Sequence, residues 1–193
     1  MPGPAESRRT MAADLYEQAL LQLGDSPDAG DAALALSQRY SYVYPEPRAL
    51  ALITALSPIV EIGAGTGYWA SRLRSMGADI LAFDQAPPDR EATNRYHPRT
   101  STWTDVQPGD HTMLGAYPER TLFLCWPPLF SALGDCLSFY RGDTVAYIGD
   151  NGHRTAQIAN LAETFRQVAS CPVRALDPDP TALPVLSIWK RTT

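Results

Sequence analysis

The segment Pro58 to Gly67, PIVEIGAGTG, runs from a short apolar stretch through an acid, Glu61, into glycines at 63, 65 and 67. Residue types in that order suit a strand-to-helix turn that holds a ligand. Glycine permits the left-handed backbone of a tight turn and leaves no Cβ between the main chain and whatever lies against it. A helix starting after Gly67 would aim its unpaired N–H groups and the positive end of its dipole into the same space. Nucleotide-bearing ligands are held in this way. A second acid, Asp84, ends the next apolar run, Ala78 to Phe83. An acid about 20 residues beyond a glycine turn stands where a ribose diol is gripped, because one carboxylate accepts from two neighbouring hydroxyls. The same Asp would also serve as a plain turn former.

Glycine spacing discriminates between ligands. The dinucleotide fingerprint G-x-G-x-x-G needs its third glycine for close helix–strand packing. Counted from Gly63, that position is the bulky Tyr68. Here the third glycine comes one residue earlier, at Gly67, and Glu61 stands two residues before the first. Acid-x-Gly-x-Gly-x-Gly resembles the first motif of the class I methyltransferases that use S-adenosylmethionine (SAM). The resemblance implies that Gly63, Ala64, Gly65 and Gly67 approach the amino-acid part of SAM. It gives Glu61 the methionine amine and Asp84 the ribose. It also implies that the adenine edge is read just after the third strand, by Asp105 or Asp110. A carboxylate suits a sulfonium cation better than a pyrophosphate, and Tyr68 disfavours a nicotinamide oxidoreductase.

The elements that must position these residues follow from periodicity. Tyr68 to Met76 reads as a helix, with Trp69, Ala70, Leu73 and Met76 at helical spacing and Gly77 as its stop. Ser101 to Val106 is expected as a third strand, Thr121 to Cys125 as a fourth and Thr144 to Ile148 as a fifth. Leu129 to Tyr140 reads as a helix. Arg154 to Ala169 reads as another, with Ile158, Leu161, Ala162, Phe165 and Val168 on one stripe. Val173 to Leu176 and Val185 to Trp189 are expected to close the sheet as two consecutive strands. Alternating strands and helices predict an α/β, Rossmann-like, doubly wound sheet, mostly parallel, seven-stranded and with an antiparallel edge strand. Residues 1–10 are expected to be disordered, and 11–193 to form one domain. Within it, 11–56 make an N-terminal helical cap and 57–193 the core. Cap helices are expected over Met11 to Leu23, over Asp31 to Arg39 with an Asp cap, and over Glu46 to Leu56. Between the last two, Tyr40, Tyr42 and Tyr44 alternate. Tyr42 and Tyr44 either line a substrate pocket or pack the cap onto the sheet.

Composition narrows the function. The net charge of −5 and a single lysine, Lys190, leave no basic face, which argues against a nucleic-acid substrate. No apolar run approaches the length needed to span a bilayer, and MPGPAESRRT is followed by no apolar signal segment. Three widely spaced cysteines suggest a reducing cytoplasm and no metal site.

A second set of residues leaves the fourth strand. Trp126-Pro127-Pro128-Leu129 resembles the Asp/Asn-Pro-Pro-Tyr motif of amino-group methyltransferases. Trp126 replaces the acid or amide, and Leu129 replaces the aromatic. Indole cannot accept a hydrogen bond from an amine, so Trp126 and Pro127 read as a wall for an apolar or cationic substrate or as core. Methyl transfer needs a base only when the nucleophile must lose a proton. Asp150 and His153 follow the fifth strand, His97 follows Asp84 along with Asn94, and Asp110 and His111 lie further on. Each is a candidate base or a loop-capping group.

The resemblance thus implies a cytoplasmic SAM-dependent methyltransferase acting on a small molecule. The altered WPPL segment keeps two alternatives open. One is a protein of this fold that catalyses another reaction, such as an intramolecular cyclisation, alone or with a partner protein. The other is a noncatalytic SAM-binding or scaffold subunit. A homodimer also stays open.

Overall fold

Apolar residues facing alternately up and down along short strands give this chain two hydrophobic layers with a sheet between them. In a computed structural model, residues 16–21, 29–90, 94–127, 132–150, 155–176 and 184–192 are described. The strands are β1 (Ile59–Ile62), β2 (Ile80–Asp84), β3 (Gln107–Pro108), β4 (Thr121–Cys125), β5 (Thr144–Asp150), β6 (Phe165–Pro172) and β7 (Pro184–Arg191). They form one sheet in the order β3-β2-β1-β4-β5-β7-β6. β1 to β5 are mutually parallel, and β7 runs antiparallel to both β5 and β6, so an antiparallel pair forms one edge. The order doubles back at β1, and parallel neighbours on each side of it require crossovers on opposite faces.

Among the described residues, the helices are α1 (Ala29–Arg39), α2 (Pro47–Thr54), α3 (Tyr68–Ser75), α4 (Ala132–Phe139) and α5 (Thr155–Thr164), together with a helical stretch over residues 16–21. On one face Ile59, Phe123, Ala146 and Ile148 meet Leu50 and Ile53 of α2 and Trp69 and Leu73 of α3. On the other, Val60, Leu122, Leu124, Val145 and Tyr147 meet Leu133 and Cys136 of α4 and Leu161 of α5. Leu122 and Leu124 are fully buried, and each such side chain contributes about 1.5–3 kcal/mol by leaving water. A third cluster is aromatic: Tyr16, Tyr40, Tyr44 and Tyr68, with Leu176. No helix among the described residues is long and apolar enough to cross a membrane.

Four expectations are corrected. Segment 101–106 is not a strand, and pairing with β2 is confined to Gln107–Pro108. The Trp103 N–H bonds Thr66 O at 2.8 Å, so this backbone serves the glycine turn and not the sheet. The helix expected to reach Ala169 stops at Thr164, and Phe165 begins β6. Phe165 and Val168 fit a helical stripe, but an antiparallel ladder with β7 takes their backbone, and Val168 lies at an irregularity of that ladder, 45% exposed. Val173 to Leu176 adds no strand to the sheet. It meets the 42–44 segment, with Tyr44 N–H to Arg174 O and Leu176 N–H to Tyr42 O, both 2.8 Å. α1 begins at Ala29, which puts Asp31 inside the first turn and not at the cap. Residues 1–10, His153, Pro128 and Leu129 lie outside the described residues.

Candidate functional site

β1 ends at Ile62, and the chain turns through glycines whose φ angles are +74° at Gly63, +53° at Gly65 and +69° at Gly67. A side chain is strained there, which explains the residue type at each position. The turn is tied to β2: Ala64 N–H donates to Phe83 O at 3.0 Å, and Gly65 N–H to Asp84 Oδ2 at 2.7 Å. Gly67 is the N-cap of α3. The three glycines face different surroundings. A Cβ on Gly63 would meet nothing within 4 Å. One on Gly65 would lie 2.5 Å from His97 Nε2, and one on Gly67 2.6 Å from Val106 Cγ2. Gly63 is thus the open glycine, and Gly65 and Gly67 are sealed by the chain itself.

Beneath the turn lies Glu61. Its side chain is 1% exposed, and Oε2 has no hydrogen-bond partner among the described residues. Burial pushes its carboxyl up to about 8, against a lowering by Arg74 and with a further rise from Asp84. A buried carboxyl without a donor costs free energy in this place. A cationic group arriving at Gly63 would supply the missing partner, so the residues present fit an ammonium or sulfonium ligand. Asp84, half-buried at the end of β2, accepts from Gly65 N–H through Oδ2 and from Ala86 N–H through Oδ1 at 2.9 Å. Each oxygen keeps a further acceptor site.

The segment 38–44 lies across the turn as a strap. Apart from Tyr42 O, which takes the Leu176 N–H, its carbonyls from Gln38 to Val43 take side-chain donors. Gln38 O lies 2.8 Å from His97 Nδ1, Arg39 O accepts from Trp103 Nε1 at 2.9 Å, and Tyr40 O accepts from the Thr66 hydroxyl. Ser41 O accepts from the Tyr16 hydroxyl at 2.7 Å and Val43 O from Trp69 Nε1 at 3.1 Å. Tyr40 stacks on Tyr16 and on Trp103, with ring centroids 4.5 and 5.0 Å apart. The donors come from segments far apart in the chain, which makes the strap a fixed wall of the site.

Glu61, Gly63, Ala64, Gly65, Gly67 and Asp84 converge in one place. His97 joins them, buried, its backbone N–H held by Asn94 Oδ1 at 2.8 Å. Burial lowers the pKa of its imidazole, partly offset by the Gln38 carbonyl and by Asp84. Tyr42 packs edge-on against His97, 5.6 Å between centroids, and its hydroxyl donates to Tyr96 O at 3.0 Å. Tyr44 is turned into the aromatic cluster, 8% exposed, with the Arg174 guanidinium over its ring at 4.8 Å. Asp105 sits beside the turn but turns its carboxylate outward, 3.8 Å from Arg90. Asp110 caps the short 3₁₀ helix His111–Ala116. Its Oδ1 takes both the N–H and the hydroxyl of Thr112, at 2.9 and 2.6 Å, and these bonds lower its pKa. Of its two candidate roles, base or loop cap, Asp110 fills that of the cap. His111 packs against Phe139 at 5.2 Å, on the α4 side. Asp150 ends β5 opposite Pro184.

Trp126 directly follows β4 in a left-handed conformation, φ +53°, with its N–H on Ile148 O at 2.9 Å. A bulky residue there is strained. Half-buried, it packs at the rim of the first core cluster, next to the buried Pro127. The strap donors Tyr16, Thr66 and Trp103 were not legible in sequence, because their acceptors are main-chain carbonyls that no residue type announces.

No protein-family model matches the sequence, and no curated protein matches it. Solved structures do. A protein of Thermoplasma acidophilum, 1320, superposes with a TM-score of 0.51 at 14% identity, over 85% of this chain and 98% of that one. The tRNA (uracil-54, C5)-methyltransferase of Pyrococcus abyssi, solved with S-adenosyl-L-homocysteine, superposes with a TM-score of 0.52 at 12% identity. That match covers 76% of this chain and 38% of the enzyme, so the chain spans little over a third of it. At these identities the likeness is one of fold. The chain has the class I methyltransferase fold, a Rossmann-like sheet with a reversed seventh strand.

Proposed function

We propose that this chain binds SAM on the turn from Gly63 to Gly67 and transfers its methyl group to a small-molecule acceptor in the cytoplasm. The observation that carries the reading is the buried Glu61 carboxyl, whose Oε2 has no partner among the described residues, close to the open Gly63. A cationic amino-acid end would find its counter-charge there, and the Asp84 carboxylate lies one strand away for a ribose. Bound SAM supplies an electrophilic methyl group on a sulfonium, ready for in-line displacement. The chain's own part is alignment and exclusion of water. The strap and the aromatic cluster around Tyr16 wall one side, and Trp126 and Pro127 stand at the end of β4. Charge supports a small acceptor over a nucleic acid, since the chain carries −5 and one lysine.

Calorimetry with SAM and S-adenosylhomocysteine is the test. Binding in the micromolar range that disappears in Gly65→Arg is expected. Glu61 holds its proton near neutral pH, so binding of a cation should release close to one proton, read from titrations in buffers of different ionisation enthalpy. Well-folded protein that binds neither ligand would overturn the assignment. Transfer of a labelled methyl group into a metabolite extract, and not into total RNA, tests the acceptor class.

Trp126 favours a second reading. It stands where amino-group methyltransferases carry an acid or amide, and it cannot accept from an amine. Binding of SAM without methyl transfer to any extract would favour another reaction on the same site, such as an intramolecular cyclisation.

A further inference from the structure

Thr66 carries the one side-chain hydroxyl of the glycine turn, and that hydroxyl faces the strap. The residue is 1% exposed, its hydroxyl donates to Tyr40 O, and its carbonyl takes the Trp103 N–H at 2.8 Å. Trp103 sends its indole N–H to Arg39 O, 2.9 Å away, the carbonyl next to the one that Thr66 uses. Its ring also lies on the Tyr40 ring, 17° from parallel. These links close on themselves. They run from Thr66 to Tyr40, along the main chain to Arg39, across to Trp103 and back to Thr66.

The circuit sits where the chain is least constrained. Thr66 stands between Gly65 and Gly67, both at positive φ. Glycine loses more conformational freedom on ordering than any other residue, so the main chain on either side of Thr66 would otherwise swivel. Both supports of the circuit are themselves anchored. On the Trp103 side, Arg74 of α3 donates to the Thr104 hydroxyl, to Asp105 O at 3.1 Å and to Ile80 O at 2.8 Å. On the strap side, Tyr40 N–H donates to Leu36 O at 2.8 Å, and the Tyr40 ring is stacked on Tyr16. Thr66 therefore cannot turn without breaking one of three hydrogen bonds. A turn held in its binding shape beforehand leaves less ordering entropy for the ligand to offset.

We propose that the Thr66 hydroxyl and the Trp103 indole N–H are positioning groups that hold the glycine turn in the shape that binds the cofactor. This role rests on the SAM reading and assigns neither group a contact with the ligand. It also gives segment 101–106 a reason to leave the sheet, since the Trp103 N–H that a strand would use is one of the three bonds.

The experiment is calorimetry of the full chain with S-adenosylhomocysteine on wild type, Thr66→Val, Thr66→Ser, Trp103→Phe and the Thr66→Val/Trp103→Phe double variant. Valine keeps the shape of Thr66 and loses the hydroxyl, which serine returns. Phenylalanine keeps a ring on Tyr40 and loses the indole donor. Thr66→Val and Trp103→Phe should each weaken binding about five- to tenfold, the range of one buried hydrogen bond. Thr66→Ser should stay within about twofold of wild type. Since both losses open the same circuit, the double variant should bind about as weakly as the weaker single one. Heteronuclear NMR of the four tryptophan indoles gives a second readout. The Trp103 signal, identified by its loss in Trp103→Phe, should move in Thr66→Val without any ligand. Thermal melts show which variants are folded, and Trp103→Phe carries the test if Thr66→Val is not. Wild-type affinity in both folded single variants, losses that multiply in the double one, or an unmoved Trp103 signal would overturn the positioning role and leave the SAM reading intact. Failure of folded wild type to bind S-adenosylhomocysteine or SAM would overturn both.

Discussion

The two ends of the sheet are built by opposite rules. At the amino ends of the strands, most polar groups answer one another, although the buried Trp189 Nε1, opposite Val145, has no partner among the described residues. Tyr140 is 1% exposed, and its hydroxyl donates to Thr144 O at 2.6 Å with Arg120 O at 2.9 Å and the Leu122 and Thr144 N–H groups at 3.3 Å. Arg120 grips Asp79 with two bonds of 3.0 and 2.9 Å and also donates to Ile59 O. Arg191 donates to Gly142 O and Tyr140 O and lies over the Phe165 ring at 4.5 Å. A groove of about 560 Å³ opens at this end, lined by Tyr140, Arg141, Glu163, Phe165 and Arg191. At the carboxyl ends, the buried Glu61 Oε2 has no partner among the described residues, a left-handed glycine faces open space and a bulky Trp126 is held at positive φ. A concavity whose polar groups satisfy one another offers a ligand little. An unmet carboxyl, which a cation would satisfy, together with backbone strain marks the end where binding would be rewarded.

Four substitutions would break or sharpen that contrast, and the largest effect should come from Gly65→Ala. It carries about 1–2 kcal/mol of left-handed strain and drives a Cβ into His97, 2.5 Å away. Its expected results are a lowered melting temperature and SAM affinity weakened by at least about tenfold, a difference of about 1.4 kcal/mol. Tyr140→Phe comes next and should act on stability alone. Removing the hydroxyl leaves buried main-chain groups unmet, at about 1–3 kcal/mol. Urea unfolding should show that loss while calorimetry shows wild-type affinity for SAM; a fall in affinity would mean that the two ends are coupled.

Glu61→Gln tests the opposite end through pH. The carboxyl in the folded chain titrates at about 8, above its ordinary value of 4.5. Between those values the folded chain keeps a proton that the unfolded chain has lost. Stability therefore falls as pH rises through the window, by at most about 1.4 kcal/mol per unit. The glutamine variant has no such slope, so it should match wild type near pH 4.5 and melt higher near pH 8. Equal melting temperatures at both would contradict the desolvated state of Glu61. The smallest effect should come from Asp79→Ala. Its carboxylate is 62% exposed, and a pair so open to water contributes about 0–1 kcal/mol. Chemical unfolding should detect little, and SAM affinity should stay unchanged.

Part of this site could be read directly from residues 58–84, because glycines at positive φ and an acid at a strand end are local requirements of the backbone. Asp84 at the end of β2 and Gly65 beside it are joined by one hydrogen bond, and both were in view from spacing alone. The third strand and the end of α5 were not. Trp103 and Phe165 carry apolar side chains compatible with either outcome, and the competitor for their backbone N–H and C=O groups was a segment far away. Asp110 differs, since a loop-capping role was one of the two readings its residue type offered, and it caps Thr112.

By itself, then, the sequence determined a parallel α/β sheet, the glycine turn and the two carboxylates flanking it, through periodicity and through φ angles that only glycine meets at low cost. Tertiary structure alone decided which glycine stays open and which are sealed. It also decided that His97 lies on Gly65 with its Nδ1 proton fixed, and that a strap of main-chain carbonyls from Gln38 to Val43 closes the site. Those outcomes depend on contacts between segments whose residue types place no demand on one another until the fold brings them within hydrogen-bond reach.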